Sequence, residues 1–495
     1  MKYDIIIIGS GLGGLECGYI LSKKGYNVCI LEQNAQLGGC LQTFKRGNAV
    51  FDTGFHYVGG LDEGQFLNRL FTYFNLMDLP WHKMDENAFA EVIMNDNSYM
   101  FASGYERFTE TLAKDFPNQH EQLKSYAGFL KQVSDNISRS FSINENPNSH
   151  LFEQSAYSYL NKTFDDAGLR DVISGASLTM ELCAEKLPLY VFAQINSSFI
   201  QSSWRLKGGG SLIAEKLADS IRQMGGTILT KAKVTNLTEN NGKITSVEFN
   251  NNEQIQGKYI ISNLHPATTL SLISESKLIR KIYRNRISRL PNTYGMFTVH
   301  LKLKENTIPY INRNIFIHKK NNLWDCEYHP GQKTSSVLIS SQIPEKDNIY
   351  TRNIDILTPM HWDEVAKWSD STIEKRSDDY KEFKVRKAEE CIALASEKIP
   401  ELKASVEKFF TSTPLTYRDY TGTWNGSAYG IRKDFNDVMM TILTPQTPIP
   451  NLLLTGQNLN LHGILGVSMT SIFTCAKIVG MENLAKDLIG IGNRE

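Results

Sequence analysis

No stretch of this sequence approaches the ~20 uninterrupted apolar residues that a helix needs to cross a bilayer. Its opening, Met1-Lys2-Tyr3-Asp4, runs straight into a strand-like segment and lacks the apolar core and cleavage site of a secretory signal. A cytoplasmic protein is expected, with membrane contact, if any, only peripheral. No C-x-x-C pair occurs among the seven cysteines Cys17, Cys29, Cys40, Cys183, Cys326, Cys391 and Cys475, whose number is odd. That scatter predicts reduced thiols and argues against a disulfide framework or a zinc site. The ten histidines contain no H-E-x-x-H pair, which leaves no expected metal centre. Neither sign of charge is in excess: Lys plus Arg and Asp plus Glu are both 53, so no global field attracts nucleic acid. There is no low-complexity tract and no repeat of solenoid period.

The chain has 495 residues, 41% hydrophobic and 21% charged, a globular composition long enough for two or three packed units. Asp4 opens a run, Ile5-Ile6-Ile7-Ile8, that is β-branched and apolar, the pattern of a central strand in a parallel sheet. A glycine-rich turn follows, then a predicted helix over Leu15 to Lys24, then a second buried strand, Val28-Cys29-Ile30-Leu31, ending at Glu32. This βαβ unit carries Gly9-x-Gly11-x-x-Gly14, with Gly13 adding further freedom. A pyrophosphate needs bare backbone N–H groups at the positive end of a helix, and side chains there would block its approach. Glu32, at the end of the second strand, suits the ribose hydroxyls of an adenosine and repels a 2′-phosphate. A bound dinucleotide follows; these residues leave open whether it is FAD or NAD. Gly38-Gly39 fits either an ordinary loop or a backbone passing close beside an extended cofactor, continuing into Asp52-x-Gly54.

Further along, Leu67 to Trp204 reads as helical and rich in aromatic residues, with a loop around Asn144-Glu145-Asn146-Pro147. After Gly208-Gly209-Gly210 a helix (Ser211 to Met224), a strand (Thr227 to Ala232) and an antiparallel ribbon through 234–237, 244–249 and 259–262 are expected, with Asn240-Asn241-Gly242 as a hairpin turn. Strands at Gly295 to Leu303 and Ser335 to Ile343 and a long charged helix from Asp370 to Ile399 follow. Asn451 to Gly456 is a last buried strand, before an apolar helix from about Ser468. No buried strand is expected before Gly208-Gly209-Gly210, so that triplet reads as a domain-crossing turn, and no second dinucleotide motif is visible. A nicotinamide donor would have to bind transiently or act through a partner.

Leu37-Gly38-Gly39-Cys40-Leu41-Gln42-Thr43-Phe44 and Phe51-Asp52-Thr53-Gly54-Phe55-His56-Tyr57-Val58-Gly59 resemble the N-terminal signature of the phytoene desaturase, carotenoid isomerase and retinol saturase superfamily. Trp204 to Gly210, Ile260 to Asn263, Gly426 to Gly430, Leu454 to Asn458 and Gly463 to Val467 are similar to its later motifs, so the resemblance spans nearly the whole length. It is strong at the ends and weak over 76–200 and 305–410. It implies an α/β fold: a Rossmann-like FAD-binding domain of an amine-oxidase-like two-domain flavoprotein (1–75, 205–290 and 415–495), interleaved with an α+β substrate domain (76–204 and 291–414). Residue by residue, it implies that Gly9, Ser10, Gly11, Leu12, Gly13 and Gly14 hold the pyrophosphate, and Glu32 the ribose with Gln33 beside it. Gly38, Gly39, Cys40 and Leu41, with Gly54, His56, Tyr57 and Val58, border the flavin side, and Val234 offers backbone contacts to adenine. Gly456, Gln457, Gly466, Val467 and Ser468 close over the pyrophosphate, ribityl chain and isoalloxazine. Many relatives carry Arg where this chain has Cys40, and no Cys ends the last strand, so non-covalent FAD is implied.

The implied reaction is saturation of a carbon–carbon double bond in an isoprenoid polyene, as in all-trans-retinol 13,14-reduction. Desaturation or cis–trans isomerisation of a carotenoid is the alternative; amine oxidation and non-catalytic flavin carriage are the others. His56 and Tyr57 are the candidates for orienting substrate or donating a proton; the competing explanation is two side chains satisfying loop hydrogen bonds. Tyr157, Tyr159, Phe164, Tyr190, Phe192, Phe199 and Trp204 either line a tunnel for the hydrophobic substrate or are plain core. Lys277, Arg280, Lys281 and Arg284 are spaced for one helix face, either solvated or resting on an anionic membrane.

Overall fold

The computed structural model describes residues 2–143, 147–250, 252–319, 322–345 and 348–489. Asn144, Glu145 and Asn146, where a loop is expected, lie outside them. Ile5, Ile6, Ile7 and Ile8 are all buried, which requires neighbours on both edges and both faces of their strand. Lys2–Ile8 accordingly runs parallel to Val28–Leu31 on one side and to Glu253–Ser262 on the other. Thr227–Leu229 extends the parallel set beyond Val28–Leu31, and Leu452–Leu454 pairs in parallel with the end of Glu253–Ser262. The register sets Ile8 opposite Leu31 and Ser262, and Ser262 opposite Leu454. Gly9, Glu32, Asn263 and Thr455-Gly456 therefore emerge together at one rim, the carboxyl end where open α/β sheets bind ligands. Val234–Asn240 and Lys243–Phe249 add the expected antiparallel ribbon.

A second sheet runs in the order Val406–Ser412, Gly295–Leu303, Asn353–Met360, Ser336–Ser341, Asn314–His318, Ala90–Met94, Asn97–Phe101. One face packs Phe297, Val299 and Ile356 against Cys391 and Ala395 of the Asp378–Ser396 helix. The alternate positions Met296, Leu338 and Leu357 belong to the opposite face and pack in the cluster that holds the Leu189–Gln201 helix.

Several expectations are corrected. The 67–204 segment is not all helical: Trp81–Lys83, Ala90–Met94 and Asn97–Phe101 are strands. The first helix begins at Leu12, the charged helix at Asp378 and the last apolar helix at Gly463, while the strand from Thr227 stops at Leu229. A strand, Ser203–Leu206, does precede Gly208-Gly209-Gly210, but it is antiparallel to Val58–Gly59 and Trp81–Lys83 in a small separate sheet. The Gly210 N–H donates to Asp52 Oδ1 at 2.7 Å, so a carboxyl of the chain itself meets this helix start. Cys183 and Cys326 are joined as a disulfide across 143 residues; their two loops meet where Ala184 N–H donates to Trp324 O at 3.2 Å, a contact that no sequence spacing announces. The other five cysteines are free thiols. The basic stripe is not one helix face: the helix is only Lys281–Ser288, and Arg284 turns inward to donate to the Leu270 and Ile273 carbonyls. Among the described residues no helix is long and apolar enough to cross a membrane.

Candidate active site

Three glycine-bearing segments converge at the rim of the first sheet. Gly9 N–H donates to Leu31 O at 2.8 Å, which closes the turn, and Gly14 lies so near the Gly9 carbonyl that a Cβ there would overlap it. Gly38 N–H donates to Ser10 O at 3.0 Å, so the 38–41 loop rests on the first glycine turn. Asn263 stands at their centre. A Cβ on Gly11, Gly13 or Gly456 would come within 2.5–2.8 Å of its side-chain amide. The absence of these β-carbons makes room for Asn263, and no side chain caps the start of the Leu12–Lys23 helix, which leaves its first backbone N–H groups to an anion. Beside them Glu32 is buried; Oε2 accepts from Ser10 N and Oγ at 3.0 and 2.7 Å, and Oε1 from Asn34 N at 2.8 Å. A carboxylate offers about four acceptor sites, so capacity remains for a hydroxyl.

A cavity of about 360 Å³ opens from this cradle. Gly11, Leu12, Gly13, Gly38 to Leu41, Gly54, His56, Tyr57, Val58, Gly456, Gln457 and Val467 contribute to its walls. The second sheet supplies the far side through Met296, Leu338 and Leu357, and Tyr57 stacks on Phe199 with ring centroids 4.2 Å apart. Among the described residues the wall contains no Asp, Glu, Lys or Arg. Its three histidines are His56, His265 and His462, and burial holds each below the ordinary imidazole range, His265 and His462 down to about 4. His265 stacks on Trp424, and His462 Nε2–H donates to Thr179 O at 3.0 Å. Tyr417, also in the wall, donates to Thr53 O at 3.1 Å and lies 2.9 Å from Thr298 Oγ1.

Not every residue expected at the site comes to the cavity. Gly9, Ser10, Gly14 and Glu32 form the cradle behind it, and Gln33 is exposed beside Gly422. Val234 is not part of the cavity wall; it follows Ala232, whose N–H donates to Glu32 O. Gly466 packs on Leu461, and Ser468 Oγ is 2.5 Å from Glu16 Oε1, so Ser468 faces the first helix and not the cavity. Of the seven aromatics offered as a tunnel, only Phe199 lines the cavity; Phe164, Tyr190 and Phe192 are core and Tyr157 is exposed. The sequence reading missed Asn263, His265, Tyr417, Tyr429, Asn458 and His462. Asn263, Tyr429 and Asn458 lie in motifs noted for their resemblance, and the other three carried no such signal.

The chain belongs to the family of flavin-containing amine oxidoreductases, whose family model matches residues 12–471. It is an FAD-dependent oxidoreductase with the α/β two-domain fold of that family. It is 24% identical, over 99% of this chain and 88% of the relative, to the all-trans-retinol 13,14-reductase of Danio rerio. It is 25% identical, over 87% of this chain and 75% of the relative, to the chloroplastic prolycopene isomerase 1 of an Oncidium hybrid cultivar. Among solved structures, putrescine oxidase bound to putrescine superposes with a TM-score of 0.63 at 14% identity, covering 99% of both chains.

Proposed function

We propose that this enzyme saturates a carbon–carbon double bond of an isoprenoid polyene, in the manner of a retinol saturase. The observation that carries the reading is the wall itself: about 360 Å³ of cavity without one carboxylate or cationic side chain among the described residues. A protonated amine entering it would lose its hydration and meet no counter-charge, whereas an apolar chain gains about 25 cal/mol for each Å² it buries. The relatives named for retinol reduction and prolycopene isomerisation support the same substrate class.

In this reading the glycine turn Gly9 to Gly14 and Gly456 hold the FAD pyrophosphate, Glu32 takes the ribose, and Val234 meets adenine with its backbone. Gly38 to Leu41, Gly54, Val58, Gln457 and Val467 border the flavin. Bound there, FAD supplies the two-electron redox chemistry that the side chains lack. Met296, Leu338, Leu357 and Phe199 hold the polyene and keep water out. Saturation adds a hydride and a proton across the double bond, and His56 is the wall residue suited to the proton. Electrons come from a transient reductant or partner, in keeping with a sequence that shows one dinucleotide motif, Gly9 to Gly14.

The test is anaerobic. Flavin in the purified protein is reduced with dithionite, all-trans-retinol and then lycopene isomers are added, and products are identified by mass. A gain of two hydrogens is the expected result. An unchanged mass with altered geometry would make the enzyme an isomerase, and a protein that stays colourless after incubation with FAD would overturn the reading altogether.

A further inference from the structure

The cavity-facing side of the second sheet changes character along its length. Where Met296 and Leu357 line the cavity, it is apolar; one or two pairs further along the same face it carries His300 and Asp355, cross-strand partners on Gly295–Leu303 and Asn353–Met360. Neither is more than 2% exposed. His300 Nδ1 lies 2.7 Å from Asp355 Oδ1, and His300 Nε2 lies 3.1 Å from Ser412 Oγ. Phe44 and Phe51 pack edge-on and tilted against the His300 ring, excluding water. The second carboxylate oxygen, Oδ2, is 3.9 Å from His56 Nδ1, and His56 is part of the cavity wall. His56 Nε2 is buried and has no hydrogen-bond partner among the described residues. A buried polar atom left without a partner costs about 1–3 kcal/mol, so the fold retains something it would otherwise lose.

In both proton arrangements that fit these distances, with Ser412 Oγ donating to His300 Nε2 or accepting from it, His300 Nδ1–H points at Asp355. The other oxygen of the carboxylate then faces His56 Nδ1 and favours a proton there, which leaves Nε2 as the atom free to exchange one. We propose that Asp355, braced by His300, is the positioning carboxylate that fixes the tautomer of His56, so that Nε2 carries the proton of the reaction. The assignment rests on the reading of His56 as the proton carrier in polyene saturation. In that step the double bond takes a proton from His56 Nε2 and a hydride that FAD held by the glycine cradle, recharged by a two-electron reductant, would supply. The neutral imidazole left behind regains its proton from solvent between turnovers.

The groups facing His56 act in both directions. Burial pushes its imidazole down, Asp355 pulls it back up, and His300 and Arg205 push it down again. Burial also lifts the nearby Asp52 carboxyl to about 8, against the Gly210 N–H and with help from Asp355, so Asp52 is protonated at neutral pH. Tyr417, on the far side of the cluster, is pushed up by burial and by Cys40 and Asp355, and stays a neutral phenol. Asp355 is thus the group through which the cluster favours charge on His56.

The test uses FAD-loaded protein labelled with ¹⁵N-histidine, whose long-range ¹H–¹⁵N spectra report the tautomer and titration of each ring, with His56→Gln assigning the signal. In the wild type the neutral ring is expected to be protonated at Nδ1. Asp355→Asn, whose amide can donate to Nδ1, moves that proton to Nε2 and lowers the pKa of His56 by about one unit. Asp355→Glu is expected to restore Nδ1–H. The pH limb for reoxidation of the reduced flavin by all-trans-retinol should shift with the spectroscopic pKa, and the Asp355→Asn rate should fall ~100-fold. A wild-type ring protonated at Nε2, or a tautomer and pKa unchanged in Asp355→Asn, overturns the assignment. Should Asp355→Asn fail to bind flavin, the wild-type tautomer decides alone. If no polyene reoxidises the wild-type flavin, it is the saturase reading that fails, and the tautomer still decides the role of Asp355.

Discussion

Glu16 lies fully buried between the first and last long helices, with Ser468 Oγ and Ser471 Oγ at 2.5 and 3.0 Å from its two oxygens. Burial pushes its carboxyl up to about 8, the two hydroxyls opposing. The folded chain therefore keeps a proton that the unfolded chain, titrating near 4.5, gives up. A raised folded-state pKa contributes stability that is complete below about 4.5 and lost as the pH climbs towards 8. Glu16→Gln keeps the shape and removes the titration. Its urea midpoint should exceed that of the wild type at pH 8, by the equivalent of about 1–3 kcal/mol, and converge with it near pH 5. Asp52 titrates with the same sign, so some pH dependence should survive in the variant. What the sequence made legible at this scale was whatever a local spacing dictates: the glycine turn, and Glu32 at the end of the second strand. His300 and Asp355 were not legible, because the register of two strands, and no motif, brings residues 55 apart into contact.

Among elements, the strands that run into glycine were readable from their unbroken apolar runs, Ile5 to Ile8 and Leu452 to Leu454, because a strand buried on both faces tolerates little else. The hairpin Ala90–Met94 and Asn97–Phe101 was not. Its turn is Asn95-Asp96, both with positive φ (49° and 66°), a conformation usually announced by Asn-Gly or Asp-Gly, and without that glycine the segment merged with the helices around it. Gly456 shows how strand ends build the cradle. Its φ is +94°, and a Cβ would come 2.5 Å from Asn263 Oδ1, which lies at the end of the neighbouring strand. Gly456→Ala should cost about 1–3 kcal/mol and strip the protein of flavin, read as visible absorbance retained after gel filtration. Gly25→Ala provides the control, since its φ of +83° carries the backbone strain but nothing lies within 4 Å of the new methyl. It should cost about 1 kcal/mol and keep the colour. Equal loss of flavin in both variants would mean that backbone strain, and not crowding of the cradle, governs binding.

For the molecule as a whole, the question is what holds the second sheet against the cradle so that the cavity keeps its shape. Arg205, 3% exposed, sits on Ser203–Leu206, the strand that pairs with Val58–Gly59 beside the cavity. Its guanidinium reaches across to the segment that leads into Asn314–His318 of the second sheet. Nη1 donates to Tyr310 Oη at 3.1 Å and Ile311 O at 2.9 Å, and Nη2 to Arg313 O at 3.0 Å and Asn314 Oδ1 at 2.8 Å. Among the described residues no carboxylate pairs with it, so the link rests on the shape of the fork and not on opposite charges. Burial lowers its pKa, Tyr310 and Tyr57 acting the other way. Two explanations of such a residue separate cleanly. If a buried positive charge is what matters, Arg205→Lys should behave like the wild type and Arg205→Met should not. If the four directed bonds matter, Lys should fail as well, since one ammonium with three donors cannot span acceptors on both sides of a planar fork. The geometry favours the second. Arg205→Lys is expected to lower stability in urea by ~2 kcal/mol and Arg205→Met by about 3–5 kcal/mol, because each orphaned carbonyl then stays buried without a donor. Since these bonds tie the small sheet beside the cavity to the second sheet, both variants should also bind all-trans-retinol more weakly, read by quenching of flavin fluorescence, under native conditions where the flavin itself remains bound. A Lys variant as stable and as tight as the wild type would return the role to charge.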